Sequence, residues 1–336
     1  MSYSFSRSVF NEEQIKIIET AVKNKIDQDV FNILVSVNPK GQPSFSAECM
    51  HDITLAIFNG LSTDQIKIMS RLKSSGYPVF DHFQMKEIYY GFYNGLSKDK
   101  VNIYAKTIKN RPRFDSGAMY NIRTFIERAD NPHIQQIKDC VDEGLNYNQI
   151  SHLMDVDIPV NHIRLYRQMY KMNTYPSIIS NSILNKQTFE EIKDVKLCCE
   201  YAKSLNVETN NYELILAANS KPLNFNGCVK IVLNTACDQC QITDPDCKEI
   251  LLRCMLYKMP PEQINFITRV AISNIAEDVK ATAIAFLNGI SVQQYEDAIP
   301  RGDKCEEDEF LNRLSGNNPG FKNEYYDTNY FDDIEI

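Results

Sequence analysis

Phe80 to Tyr104, FDHFQMKEIYYGFYNGLSKDKVNIY, carries a full set of helix start and stop signals. Asp81 followed three residues later by Gln84 is a capping box, in which two side chains satisfy backbone N–H groups that a helix leaves free at its start. Phe80 and Met85 flank it at the spacing of a hydrophobic staple. Met85, Ile88, Tyr89 and Phe92 then fall at i, i+3, i+4 and i+7, one apolar stripe. Gly95 supplies a left-handed stop, and Ser97 caps a second, shorter helix carrying Val101 and Tyr104. The stretch predicts a long helix, a glycine turn and a short helix.

The same signals recur on both sides. The staple aromatics Phe10, Phe45, Phe80 and Phe114 are 35, 35 and 34 residues apart, and each precedes a cap residue, Asn11, Ser46, Asp81 or Asp115. Ile15, Met50, Met85 and Met119 keep the offset of the staple partner. Pro43, Pro78 and Pro112 stand two residues before a staple phenylalanine, where proline closes the preceding segment. The turn reads Asn59-Gly60-Leu61-Ser62 in one copy and Asn94-Gly95-Leu96-Ser97 in the next. The best copies are therefore 10–43, 45–78 and 80–112.

Beyond Phe114 the pattern loosens. A helix is expected from Asp115 to about Arg128, another at Asn131-Pro132, and a unit end at Gly144-Leu145-Asn146. Leu165, Met169 and Met172 suit a helix, Pro176 starts a segment, and Thr188 to Glu191 is a capping box leading Ile192, Val195 and Cys199. Asn288-Gly289-Ile290-Ser291 restates the turn. A helical hairpin cannot bury its apolar face alone, so tandem copies stack. The expectation is an all-α chain, an α-solenoid of hairpin repeats of about 35 residues, spanning 1–302. Residues 303–336 are expected to be an acidic helix and flexible tail.

The period resembles that of tetratricopeptide repeats without their tryptophan, glycine, tyrosine and alanine signature. The combination F-x4-M-x2-I with a later N-G-L-S resembles helical repeats of proteins from gut bacteria and their mobile elements. That resemblance covers the first three copies, the first with Ile15 in place of methionine, and implies no active site.

Composition narrows the class. The 336 residues are 43% hydrophobic and 24% charged, with only 12 glycines, a profile of helices with short connections. The N-terminus lacks a basic region followed by an apolar core, no apolar run is long enough for a bilayer, and the ten cysteines without a secretory signal read as reduced thiols. A cytoplasmic address is expected. Of the net charge of −8, residues 303–336 contribute −7, ten acids against three bases.

Candidate chemistry is sparse. No Walker loop, G-x-G-x-x-G, G-x-S-x-G or H-E-x-x-H is present. Cys237 and Cys240 form one C-x2-C, to which Cys247 could add a third thiolate for zinc, but the second C-x2-C is missing. Cys247 and Cys254 fall seven apart with Leu251 between, the spacing of small core residues, so core packing is the preferred reading and no metal or cofactor is expected. Lys106, Lys109, Arg111, Arg113, Arg123 and Arg128 form a basic stretch beside Tyr104 and Phe114, either an anion-binding strip or a solvated connector. Tyr89, Tyr90 and Tyr93 surround one helix that cannot bury them all.

The expected function is a non-enzymatic scaffold or adaptor that binds another protein along a solenoid face. The candidate contacts are Tyr90, Tyr93, Lys109, Arg111 and Arg113, with Tyr325, Tyr326, Tyr330 and Phe331 of the acidic segment. The alternatives are nucleic-acid association through 106–128, which the net charge disfavours, and a decoy role for the acidic segment against a nucleic-acid-binding protein.

Overall fold

The computed structural model describes residues 3–273 and 275–298. It is all-α: eighteen α-helices, with strand structure among the described residues limited to one two-stranded hairpin and two isolated bridges. The chain divides into two compact units, one ending at Val160 and one starting at Asn161. The single array expected over 1–302 would span that division.

The first unit contains α1 (Glu12–Lys23), α2 (Gln28–Leu34), α3 (Ala47–Phe58), α4 (Thr63–Met69), α5 (His82–Tyr93) and α6 (Lys98–Tyr104). A hairpin of β1 (Thr107–Ile108) and β2 (Arg111–Pro112) follows, then α7 (Ser116–Arg128), α8 (Asn131–Asp142) and α9 (Tyr147–Ser151). Capping sets these boundaries. Asp81 accepts from Gln84 N at 2.8 Å while Gln84 Oε1 accepts from Asp81 N at 3.0 Å, and Asn11 with Gln14 repeats the reciprocal pair on α1. Gly60 and Gly95 stop α3 and α5 at φ +81° and +84°, a conformation that costs glycine little. The cap of α8 is Asp130, one residue before the expected Asn131.

The long helices stack in chain order, α1 on α3, α3 on α5 and α5 on α7, while α2 packs against α4. The staple residues Phe45, Met50, Phe80, Met85, Phe114 and Met119 are all buried in this seam. Gln14 and Gln84 also join neighbouring copies: their Nε2 atoms donate to the carbonyl oxygens of Phe45 and Phe114 at 2.9 and 2.8 Å.

The prolines do more than close segments. Pro43 and Pro78 form antiparallel bridges with Val37 and Leu72, and Pro112 pairs with Thr107, so each copy carries a β-turn hairpin after its short helix. Gly41 (φ +73°) and Gly76 (φ +76°) close the first two hairpins with an extra residue. In the third, Lys109 and Asn110 are both left-handed, at φ +51° and +59°, a two-residue type I′ turn. That shorter turn accounts for the 34-residue interval between Phe80 and Phe114.

The second unit contains α10 (Val160–Lys171), α11 (Pro176–Leu184), α12 (Phe189–Ser204), α13 (Tyr212–Ala218), α14 (Phe225–Cys240), α15 (Pro245–Leu256), α16 (Pro261–Ala271), α17 (Ala276–Leu287) and α18 (Val292–Ala298). The Thr188–Glu191 capping box opens α12 as the sequence predicts, and Ile192, Val195 and Cys199 are buried. The stacking order differs from the first unit, since α12 packs against both α14 and α16. Buried Tyr201 of α12 donates its one hydroxyl proton to the Met259 carbonyl oxygen at 2.8 Å, with the Met255 carbonyl oxygen 3.2 Å away, tying α12 to the end of α15.

Candidate functional site

The exposed face of the stacked long helices is aromatic where it differs most between copies. Leu55 and Phe58 of α3 stand ten and thirteen residues after Phe45; Tyr90 and Tyr93 of α5 stand at the same offsets after Phe80. The outer copies place Thr20, Lys23, Thr124 and Glu127 there. Phe58 is 48% and Tyr93 58% exposed, and Phe83 and Tyr120 are exposed on α5 and α7. Tyr89 turns into the core instead, its ring stacked 5.6 Å from that of Tyr93. The sequence singled out Tyr90 and Tyr93 and missed Leu55, Phe58, Phe83 and Tyr120; comparing the outward positions of successive copies would have found the first two.

Arg123 holds this face in place. Its Nε lies 2.9 Å from Glu87 Oε2 and its Nη1 2.7 Å from Glu127 Oε1, with the guanidinium carbon 5.6 Å from the Tyr90 ring centre and 5.4 Å from that of Tyr120. Burial works against the charge, but hydrogen bonds to both carboxylates hold the guanidinium pKa above its ordinary value. The guanidinium lies within cation–π range of both rings.

Arg123 therefore leaves the basic set of residues 106–128. Lys106 is paired with Asp142. Arg113 donates from Nη2 to the Leu145 carbonyl oxygen at 2.6 Å, and burial lowers its pKa. Lys109 and Arg111 are exposed at the tip of the third hairpin, on either side of Asn110.

The cysteines pack as core. Cys237 lies in the last turn of α14 and Cys247 in the first turn of α15, both buried, with burial pushing each thiol up to about 11. Cys240 ends α14, half-buried. Among the described residues no group of three or more His, Cys, Asp or Glu side chains is placed to hold a metal ion. Tyr325, Tyr326, Tyr330 and Phe331 lie outside the described residues.

Asp52 is a buried charge that the sequence did not mark. It sits on α3 with Oδ2 3.5 Å from Nδ1 of His82, the first residue of α5, and Oδ1 3.9 Å from Nδ1 of His51. These separations are too long for strong hydrogen bonds. Burial raises the Asp52 carboxyl above its ordinary range, opposed by Lys86, His82 and His51.

No family model, curated protein or solved structure matches the chain. Among the described residues no helix is long and apolar enough to cross a membrane.

Proposed function

We propose that this chain is a non-enzymatic protein-binding scaffold, an α-solenoid whose outward aromatic face on α3, α5 and α7 takes a partner protein. The observation that carries this reading is the pairing of Leu55 and Phe58 with Tyr90 and Tyr93 at equivalent positions of two stacked helices. Exposed aromatic side chains are costly to leave in water and are the residue types that anchor protein interfaces. Arg123 reduces the entropy lost when a partner covers Tyr90 and Tyr120. The partner is a protein with an apolar contact surface. A cytoplasmic address fits the nine described cysteines, which are all free thiols.

The test is quantitative affinity capture with the full chain from the native cell, in parallel with Phe58→Ala/Tyr90→Ala/Tyr93→Ala. A specific partner is expected to be enriched by the wild type and reduced at least about tenfold by the variant, a loss of about 1.4 kcal/mol. The purified partner should reproduce that difference. Equal capture by both proteins would overturn the reading, as would turnover of a nucleotide, nucleic acid or peptide that a single substitution abolishes.

A second reading, nucleic-acid association, is supported by the exposure of Lys109 and Arg111. It predicts binding that weakens steeply with salt and falls when those two residues and Arg113 are neutralised.

A further inference from the structure

The three hairpins of the first unit lie side by side. A Cβ added to Gly76 would stand 2.7 Å from Asn38 Cα and 2.9 Å from Pro39 Cδ, so the second hairpin rests on the first. Tyr77 Oη, 3.5 Å from Gln42 Oε1, crosses the same boundary. Arg71 Nη1 donates to Thr107 Oγ1 at 3.3 Å, joining the second hairpin to the third.

Charge is divided unequally between this row and the rest of the unit. Residues 1–160 contain eighteen bases and nineteen acids, yet seven of the bases and none of the acids fall within 36–44, 71–79 and 106–113. Three of the seven are already engaged: Lys106 with Asp142, Arg113 with the Leu145 carbonyl oxygen and Arg71 with Thr107. Lys40 on the first hairpin, Lys73 on the second, and Lys109 with Arg111 on the third have no carboxylate partner among the described residues. All but the half-buried Lys73 are exposed. Every hairpin thus offers at least one unpaired cation. Each also exposes an apolar side chain: Val37 on the first, Leu72 and Tyr77 on the second, Ile108 on the third.

We propose that the hairpin row is a second interaction surface, which takes an extended acidic segment of a partner protein with aromatic or aliphatic residues set among its acids. The spacing suits an extended chain. Helices packed side by side lie about 8–10 Å apart and extended backbone advances about 3.3 Å per residue, so about three residues carry a segment from one hairpin to the next. An acid at about every third position then meets Lys40, Lys73 and the Lys109–Arg111 pair in turn, and the residues between them reach Val37, Leu72 and Ile108. Charge confines the contact to the row, because acids outnumber bases over the rest of the unit and repel an acidic segment there. A phosphate backbone would share the attraction but gain nothing from the apolar groups, which is why an acidic peptide fits this row better than a nucleic acid. The row uses none of the residues of the aromatic face, so the two assignments stand or fall separately.

Fluorescence anisotropy with the full chain and labelled peptides tests the assignment. The probe is a peptide of three Glu-Tyr-Gly repeats, compared with a block isomer of the same composition whose three glutamates are consecutive. The repeat peptide is expected to bind at least about threefold more tightly than its isomer, and to lose at least about fivefold when NaCl is raised from about 50 to about 500 mM. Lys40→Glu, Lys73→Glu and Lys109→Glu/Arg111→Glu should each weaken it at least about threefold, a loss of about 0.7 kcal/mol, whereas Lys16→Glu/Lys23→Glu on α1 should change it less than about twofold. A charge-reversed peptide of Lys-Tyr-Gly repeats should bind Lys109→Glu/Arg111→Glu more tightly than wild type, which separates loss of the site from loss of the fold. Equal binding of the two isomers, no binding of either, or hairpin variants that behave like the α1 control would overturn the proposal. So would a single-stranded oligonucleotide of the same length that binds more tightly than the repeat peptide and is lost in Lys109→Glu/Arg111→Glu.

Discussion

Tyr104 of α6 occupies the space that a side chain at Gly91 of α5 would fill: a Cβ at 91 would collide with Tyr104 Oη, which donates to the Glu87 carbonyl oxygen at 3.3 Å. The equivalent positions in the earlier copies pair Ala21 with Leu34 and Ala56 with Met69, all buried. The copy with the largest short-helix residue is the one with glycine. Gly91→Ala is therefore expected to destabilise the protein by about 1–3 kcal/mol through overpacking, against the gain of about 1 kcal/mol that alanine usually brings to a helix. Gly91→Ala/Tyr104→Met recreates the second copy's pair and should recover most of the loss in urea unfolding. Strict additivity of the two single changes would refute the link.

Arg123 is the sole cation within hydrogen-bonding reach of both Glu87 and Glu127 among the described residues. Arg123→Met leaves the carboxylates of Glu87 and Glu127 without the cation that both now meet. The expected loss is about 2–4 kcal/mol, below the range for fully buried pairs because Glu127 keeps part of its side chain in water. Adding Glu87→Gln and Glu127→Gln should return most of it. A triple variant no more stable than Arg123→Met would mean that the stacking on Tyr90 and Tyr120, rather than charge, is what Arg123 contributes.

Asp52 predicts a pH dependence with a definite sign. Its folded pKa is raised, chiefly by burial, so the native state holds this proton more tightly than the unfolded chain. The resulting stabilisation is fully present below the unfolded carboxyl pKa and is lost as pH rises through the folded value. Comparing urea midpoints with Asp52→Asn isolates it: the difference should shift in favour of the wild type as pH falls from about 7 towards about 4. A shift in the opposite direction would show that Lys86, His82 and His51 together outweigh burial.

The helices were legible because their signals are local. Caps, staples and glycine stops all act within a few residues, and the structure returns the Asp81–Gln84 box and the Gly95 stop where the sequence puts them. What a side chain does between copies was not legible. Gln84 reads as a cap, yet its Nε2 reaches Phe114, thirty residues on; Arg123 reads as surface charge, yet it is buried against α5. The hairpins were hidden because Lys109-Asn110 is not among the usual asparagine-glycine or aspartate-glycine turns. In the second unit α12 packs against α14 and α16, and its Tyr201 meets carbonyls more than fifty residues away, which no local pattern encodes.

Gly41 and Gly76 allow the hairpin row to be tested directly. Both close equivalent turns at nearly equal positive φ, +73° and +76°, so alanine costs each of them about 1–2 kcal/mol for its left-handed backbone alone. A Cβ at Gly41 meets open space, whereas one at Gly76 would press on Asn38 and Pro39 of the preceding hairpin, and those atoms belong to backbone and a proline ring that give little. Gly76→Ala should therefore be the more destabilising by at least about 1 kcal/mol. Because the clash separates two neighbouring hairpins rather than unfolding either, Gly76→Ala should also raise amide exchange in residues 36–44 as well as in 71–79. Gly41→Ala should leave exchange at 71–79 at its wild-type rate. Equal unfolding energies for the two variants would mean that the first two hairpins do not lean on one another.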